Sequence, residues 1–109
     1  MSQTGCSSEG MEAFALRVIG DSMEPEFQDG HIIIVDPGFP LLNEVYAVIR
    51  NNGEYIFGQY FIDDSGSWVR YLNSEFDAIK LETGFEVKGI VTQRNGRKRK
   101  DIKYYNYTD

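Results

Sequence analysis

Residues 20–36, which read GDSMEPEFQDGHIIIVD, decide the fold of this 109-residue chain. Their first residues interrupt Ala13–Ile19, a segment that alternates loosely along its length and predicts a strand. Ser22 or Asp21 can cap a helix, and the glutamates that follow suit the positive end of a helix dipole. The stretch therefore predicts a short helix at Met23–Phe27, directly after the serine.

The second half of the stretch, His31–Asp36, holds four β-branched residues and is the strongest strand signal in the chain. Downstream, Asn51-Asn52-Gly53 supplies the positive φ that a tight β-hairpin needs. Further strands are predicted at Glu44–Arg50, Glu54–Ile62, Ser67–Leu72, Ala78–Leu81, Phe85–Arg94 and Ile102–Tyr107. These short strands predict one all-β domain that forms a partly closed barrel, with the segment after Ser22 as its one helix.

Length and composition fit a single folded domain, since 41% of the residues are hydrophobic and 26% are charged. We assign residues 1–12 to a flexible N-terminal arm and residues 13–109 to the domain. No apolar run approaches the roughly 20 residues that a membrane span needs, and the first residues lack the features of a secretory signal. We therefore expect a cytoplasmic protein with no membrane partner, and its single cysteine, Cys6, excludes an intramolecular disulfide.

Charge is distributed unevenly along the chain, whose net charge is −6. Residues 1–93 carry fifteen acidic and five basic side chains, whereas residues 94–109 carry six basic and two acidic ones. An acidic body repels the phosphates that dominate DNA affinity, so direct DNA binding is not expected. The basic segment 94–103 leaves two interpretations open: a solvated turn before the last strand, or a contact with nucleic acid or an acidic partner.

Ser22 has the clearest chemical potential in the sequence. A serine at a sharp turn before a helix exposes its hydroxyl, and the first amides of that helix can hold an oxyanion. Serine also needs a base, and the one histidine, His31, has nothing nearby that marks it as one. Helix capping is the structural alternative for Ser22. No metal-ligand spacing and no phosphate-binding glycine loop is present, so neither a metal nor a cofactor is expected.

These motifs occur together in one known family. The GDSMEP element at 20–25, then Asp29-Gly30, then Ile32–Asp36, resemble the Ser-Lys peptidase domain of LexA-type repressors and the mutagenesis protein UmuD. The similarity covers roughly residues 14–94, in order and at close to the family spacing. Bacterial signal peptidases share the serine element and the core fold but are membrane-anchored. The resemblance implies a fold like the LexA C-terminal domain, a partly closed β-barrel or sandwich.

In that family a serine attacks a bond in the domain's own N-terminal segment, and a buried lysine on the second hairpin strand takes the proton. The resemblance implies that Ser22 is the nucleophile and that the amides of Ser22 and Met23 form the oxyanion hole. It places Gly58 where the family has its lysine, and glycine cannot act as a base. We therefore interpret the chain as a catalytically impaired regulatory or dimerisation module of a bacterial or phage stress response of the SOS type.

Two other functions stay open. An active serine peptidase would use Ser22 with a base from elsewhere, and a nucleic-acid-binding protein would use the basic segment Arg94–Lys103. The resemblance also implies a homodimer that pairs through its C-terminal strands, here Phe85–Val91 and Ile102–Tyr107. A second protein partner, such as a DNA-binding protein, a polymerase or a recombinase filament, is a further expectation.

Overall fold

The computed structural model describes residues 12–107, so Cys6 and all but the last residue of the predicted arm lie outside the described residues. The described chain is nearly all β, which confirms the predicted fold class. Its strands are β1 (Phe14–Arg17), β2 (Ile32–Asp36), β3 (Tyr46–Asn51), β4 (Glu54–Asp63), β5 (Gly66–Arg70), β6 (Ile79–Lys80), β7 (Glu86–Asn95) and β8 (Lys103–Tyr104). A 3₁₀ turn at Arg99–Asp101 precedes β8, and no helix in residues 12–107 is long and apolar enough to cross a membrane.

The strands form one curled antiparallel sheet in the order β1-β2-β7-β3-β4-β5-β6. Strand β7 runs through its middle, with β2 along one edge and β3, then β8, along the other. Strand β3 pairs with residues 86–90 of β7, whereas β2 pairs only with residues 90–95, so the first part of β7 has a strand partner on one side only among residues 12–107. The predicted dimer edge at Phe85–Val91 therefore stays a prediction. Strand β8 pairs with β7 and with no other strand in residues 12–107.

The segment after Ser22 forms turns and not the predicted helix, so that expectation is wrong. Pro25 explains the difference, since a proline ring disfavours the α conformation in the residue before it. Only isolated backbone hydrogen bonds close these turns, such as the one from Phe27 N to Met23 O at 2.9 Å.

The loop after β5 is hydrogen-bonded to the backbone around Ser22. We call residues 20–27, which form turns and bends, the serine turn. The backbone N–H of Asn73 donates to the carbonyl of Ser22 at 3.0 Å, and the Asn73 side-chain amide donates to the carbonyl of Asp21 at 3.1 Å. The position of the serine turn therefore depends on contacts that are about fifty residues distant in sequence.

Strands β3 and β4 separate two hydrophobic clusters, because successive side chains of a strand point to opposite faces. The hairpin cluster contains Val45, Ala47, Ile49, Ile56, Tyr60, Val69, Leu81 and Ile90. The serine-turn cluster contains Val18, Met23, Phe27, Ile33, Val35, Val48 and Val91. Strand β4 contributes Ile56 and Tyr60 to the hairpin cluster, while the ring of Phe57 packs against the serine-turn cluster.

Phe27 anchors the serine turn to the sheet. Its ring is fully buried and lies edge-on to Tyr46 and Phe57, with ring centroids 4.9 and 5.0 Å away. The ring of Tyr105, just after β8, lies 5.5 Å from the same ring. Phe27 thus joins the turn, the β3–β4 hairpin and the C-terminal segment in one contact.

Glu26 adds a polar link between the same elements. Its carboxylate accepts hydrogen bonds from Lys103 and from the hydroxyl of Tyr105, both at 2.7 Å, and Arg94 lies 3.5 Å away. Burial raises the pKa of the Glu26 carboxyl, but the hydrogen bonds from Lys103 and Tyr105 and the charges of Lys103 and Arg94 outweigh it, so the pKa lies below its usual value. The ionised carboxylate is therefore the form that the fold stabilises.

We expect Glu26→Gln to lower the free energy of unfolding at pH 7 by about 1–3 kcal/mol, because hydrogen bonds to a charged group are lost. A carboxyl with a lowered folded-state pKa stabilises above its unfolded pKa of about 4.3, and this contribution is lost as the pH falls through the folded-state value. Urea unfolding at pH 7 and pH 3 should therefore show a difference between wild type and variant that shrinks in acid. The exposed neighbour Glu24 provides the control, and an equal effect of Glu24→Gln would contradict this role of the network.

Candidate functional site

Ser22 opens onto a cleft of about 410 Å³ that β1 and the β3–β4 hairpin help to form. The cleft is lined by Leu16, Arg17, Val18, Ile19, Ser22, Ile33, Val48, Tyr55, Ile56, Phe57 and Tyr71. Ser22 is half-buried, and its hydroxyl makes no hydrogen bond with another residue of the described chain. The serine turn thus faces strand β4, whose residues 55–57 line the same cleft.

The cleft offers Ser22 no evident base. Its lining contains no lysine, histidine or carboxylate, and its ionisable side chains are those of Arg17, Tyr55 and Tyr71. A guanidinium is not deprotonated in proteins. Burial, followed by the charge of Glu54, raises the pKa of Tyr71 above its usual value, so this phenol keeps its proton at neutral pH. Near neutral pH the cleft therefore holds no group suited to take the proton of Ser22.

The backbone beside the serine meets the first requirement of an oxyanion hole. The amides of Ser22 and Met23 make no hydrogen bond with any of residues 12–107. The side chain of Met23 is fully buried and holds this part of the turn against the sheet. Free amides at a fixed position can bind a developing negative charge. The assignment of these amides to an oxyanion hole stays a prediction that this geometry allows.

Gly58 lies in β4 opposite Ala47 but is not among the residues that line the cleft. A Cβ atom at Gly58 would collide with Cγ1 of Val69 and would lie 2.9 Å from the carbonyl oxygen of Arg70. Strand β5 therefore leaves no space for a side chain there. The glycine has a packing role in this chain, and its equivalence to the lysine position of LexA-type domains stays a prediction.

Lys88 is a residue near the cleft that the sequence alone does not single out. It lines an adjoining apolar trough of about 380 Å³, which shares Leu16, Val48 and Tyr55 with the cleft. Its ammonium group lies 3.7 Å from a Glu86 carboxylate oxygen, and its side chain is 38% exposed. A lysine becomes a general base when burial removes its charge, and Lys88 is not buried in this way. Its place beside the cleft follows from the central position of β7, which no local pattern indicates.

His31, the one histidine, is also separate from Ser22. It does not line the cleft, and its Nδ1 accepts a hydrogen bond from the backbone N–H of Gln28 at 3.0 Å. Residues 12–107 contain no group of three or more His, Cys, Asp or Glu side chains placed to hold a metal ion. The chemistry that this cleft can perform thus depends on the serine hydroxyl and its neighbouring amides.

Comparisons with known proteins give the same relationship as the motifs. The family model described as Peptidase S24-like matches residues 2–92. The HTH-type transcriptional regulators for the conjugative elements R391 of Providencia rettgeri and SXT of Vibrio cholerae are each 35% identical over 97 residues, covering 83% of this chain and 44% of the relative. The prophage repressor CohE of Escherichia coli is 32% identical over 98 residues, covering 86% of this chain and 44% of the repressor. The chain thus spans less than half the length of these curated relatives.

We expect Gly58→Ala to lower the free energy of unfolding by about 1–3 kcal/mol, because the added carbon overpacks the contact with Val69 and Arg70. Gly58→Lys should cost more, since it also buries a charge against the hairpin cluster. Urea unfolding measures both effects. Ile62 is 55% exposed on the same strand, so Ile62→Lys is the control and should change stability by less than about 0.5 kcal/mol. An unchanged stability of Gly58→Ala would show that β5 does leave space for a side chain.

Proposed function

The chain belongs to the Peptidase S24-like family, and from that premise we propose that it is a LexA-like regulatory domain without peptidase activity. The observation that carries the proposal is the cleft around Ser22, whose lining contains no lysine, histidine or carboxylate. A serine hydroxyl is a weak nucleophile unless a neighbouring group takes its proton.

The missing base outweighs the features that would favour catalysis. The amides of Ser22 and Met23, which have no hydrogen-bond partner among residues 12–107, support an oxyanion-binding role, yet an oxyanion hole alone accelerates hydrolysis by only about 10³–10⁴ over water. Such an acceleration is invisible beside the very slow uncatalysed cleavage of an amide bond. The fold of the peptidase family is therefore retained in this chain for a function other than cleavage.

Regulation by association fits this conclusion best. The relatives are named as transcriptional regulators and a prophage repressor, and the chain matches 44% of their length. In our proposal this domain serves the regulatory part of such a repressor, in a stress response of the SOS type, and DNA recognition belongs to another protein or segment. A protein partner such as a DNA-binding protein, a polymerase or a recombinase filament would then read its state.

Self-association through β8 is the second part of the proposal. LexA-type domains, which the chain resembles, pair through their C-terminal strands. In this structure β8 has one strand partner among residues 12–107, and Tyr104 on it is 71% exposed. Ile102, which directly precedes β8 in the chain, is exposed too. An unpaired edge with apolar side chains is a surface that natural proteins cover, and two-fold pairing of two copies covers it.

Wild type and Ser22→Ala should both leave a peptide with an Ala-Gly bond intact after long incubation at pH 7 and pH 10. The higher pH is included because an ordinary lysine is partly deprotonated there, so a lysine base would become visible. Mass spectrometry of the peptide and of the protein measures cleavage in either chain. Cleavage by wild type that Ser22→Ala abolishes would establish the active-peptidase alternative. If Lys88→Gln also abolished this cleavage, Lys88 would be identified as the base for Ser22.

We expect a homodimer in sedimentation equilibrium at micromolar concentration. Ile102→Ser combined with Tyr104→Ser should shift it toward monomer, whereas the exposed pair Ile62→Ser and Tyr55→Ser should not. Because each copy brings the exposed cations of residues 97–100 near β8, added salt should strengthen dimerisation by screening their repulsion. A wild-type protein that stays monomeric would contradict this part of the proposal, and a dimer insensitive to the first pair would exclude β8 as its interface.

A further inference from the structure

A second cavity, of about 530 Å³, lies at the ends of β1, β2 and β7. It is lined by Arg17, Gln28, Asp29, Gly30, His31, Arg97 and Asp101. These residues come from three separate parts of the chain: the end of β1, the turn before β2 and the turn between β7 and β8. We call this cavity the arginine cavity, after Arg17 and Arg97.

The two arginines of the cavity have no acidic partner. Neither Arg17 nor Arg97 forms an ion pair with any of residues 12–107. The two carboxylates that line the cavity are engaged with backbone amides, since Asp29 accepts from the N–H of Gly20 at 2.6 Å and Asp101 accepts from the N–H of Lys98 at 3.0 Å. Neither guanidinium group donates a hydrogen bond to another of residues 12–107, so within the described chain their N–H groups are available to a ligand.

His31 also lines the cavity. Its Nδ1 accepts a hydrogen bond from the backbone N–H of Gln28, so the neutral ring carries its proton on Nε2. An Nε2–H group donates and does not accept. The cavity therefore combines two planar guanidinium groups and an imidazole with two carboxylates that are each held by a backbone amide, and its guanidinium groups suit an anion with several oxygen atoms.

A run of cations continues from the cavity along the surface. Arg97, Lys98, Arg99 and Lys100 are all exposed, and none forms an ion pair within residues 12–107. The neighbouring cations Arg94 and Lys103 differ, because both are bound to Glu26. The turn between β7 and β8 thus holds four exposed cations, none ion-paired within residues 12–107, beside the arginine cavity.

We propose that the arginine cavity binds a phosphate group, and that the run 97–100 extends this site along the backbone of a nucleic acid. Guanidinium groups match the geometry of phosphate oxygens, and successive phosphates require successive cations. The acidic remainder of the body limits the contact to this end of the molecule. Binding is consequently weak, with a Kd on the order of 10⁻⁴ M at physiological salt, and independent of base sequence.

The first experiment measures fluorescence anisotropy of a 16-base-pair duplex at several salt concentrations. Arg17→Gln combined with Arg97→Gln should weaken binding by about tenfold or more and reduce the salt slope by roughly two, one for each lost phosphate contact. Arg50→Gln combined with Lys80→Gln removes the same charge from exposed cations outside the cavity and should have less than about a twofold effect. An equal loss in both double variants, or no loss in the first, would overturn the proposal.

The second experiment separates the sources of the anion by NMR titration of the wild-type chain. Inorganic phosphate should shift the backbone amides of Gly30, His31 and Arg97, and duplex DNA should shift these amides together with those of residues 98–100. A poly-glutamate peptide of equal charge should bind more weakly than the duplex. Phosphate shifts elsewhere in the chain, or tighter binding of poly-glutamate than of DNA, would show that the cavity is not a phosphate site.

Discussion

The packing of the Phe27 ring against Tyr46, Phe57 and Tyr105 is the contact on which the rest of this structure depends. The serine turn has few hydrogen bonds of its own, so the fully buried ring of Phe27 fixes its position on the sheet. Removing a buried phenylalanine side chain costs about 3–5 kcal/mol, which is a large share of the stability of a small domain. The same ring also binds the C-terminal segment, so one contact links the candidate site to the edge proposed for dimerisation.

This contact also determines what the cleft can do. The face of β4 turned toward the serine turn presents Phe57, and aromatic and aliphatic side chains dominate the space where a peptidase would need a base. Polar groups are present nearby, but Glu26 and Arg94 are engaged with each other and with the C-terminal segment. A cleft of this composition suits the burial of apolar groups and not the transfer of a proton.

Local sequence predicted the strands well and the site only in part. The β-branched run at Ile32–Val35 and the Asn52-Gly53 turn act locally, and the corresponding strands are confirmed. The helix after Ser22 failed because Pro25 outweighed a good cap. The collision that a side chain at position 58 would meet depends on the register of β5, and the presence of Arg17 and Arg97 in one cavity depends on the order of strands. Neither the register of β5 nor the order of the strands can be read from any short stretch of the sequence.

The central claim, that β4 turns Phe57 toward the serine turn and Gly58 toward the hairpin cluster, is most directly tested by NOE contacts in a labelled sample of the intact chain. The account predicts contacts between the ring protons of Phe57 and Phe27, and between the Hα protons of Gly58 and a methyl group of Val69. Contacts from the Hα protons of Gly58 to Ser22 or Met23, without contacts to Val69, would contradict it. That result would mean that position 58 faces the serine and that other residues of β4 than those described line the cleft.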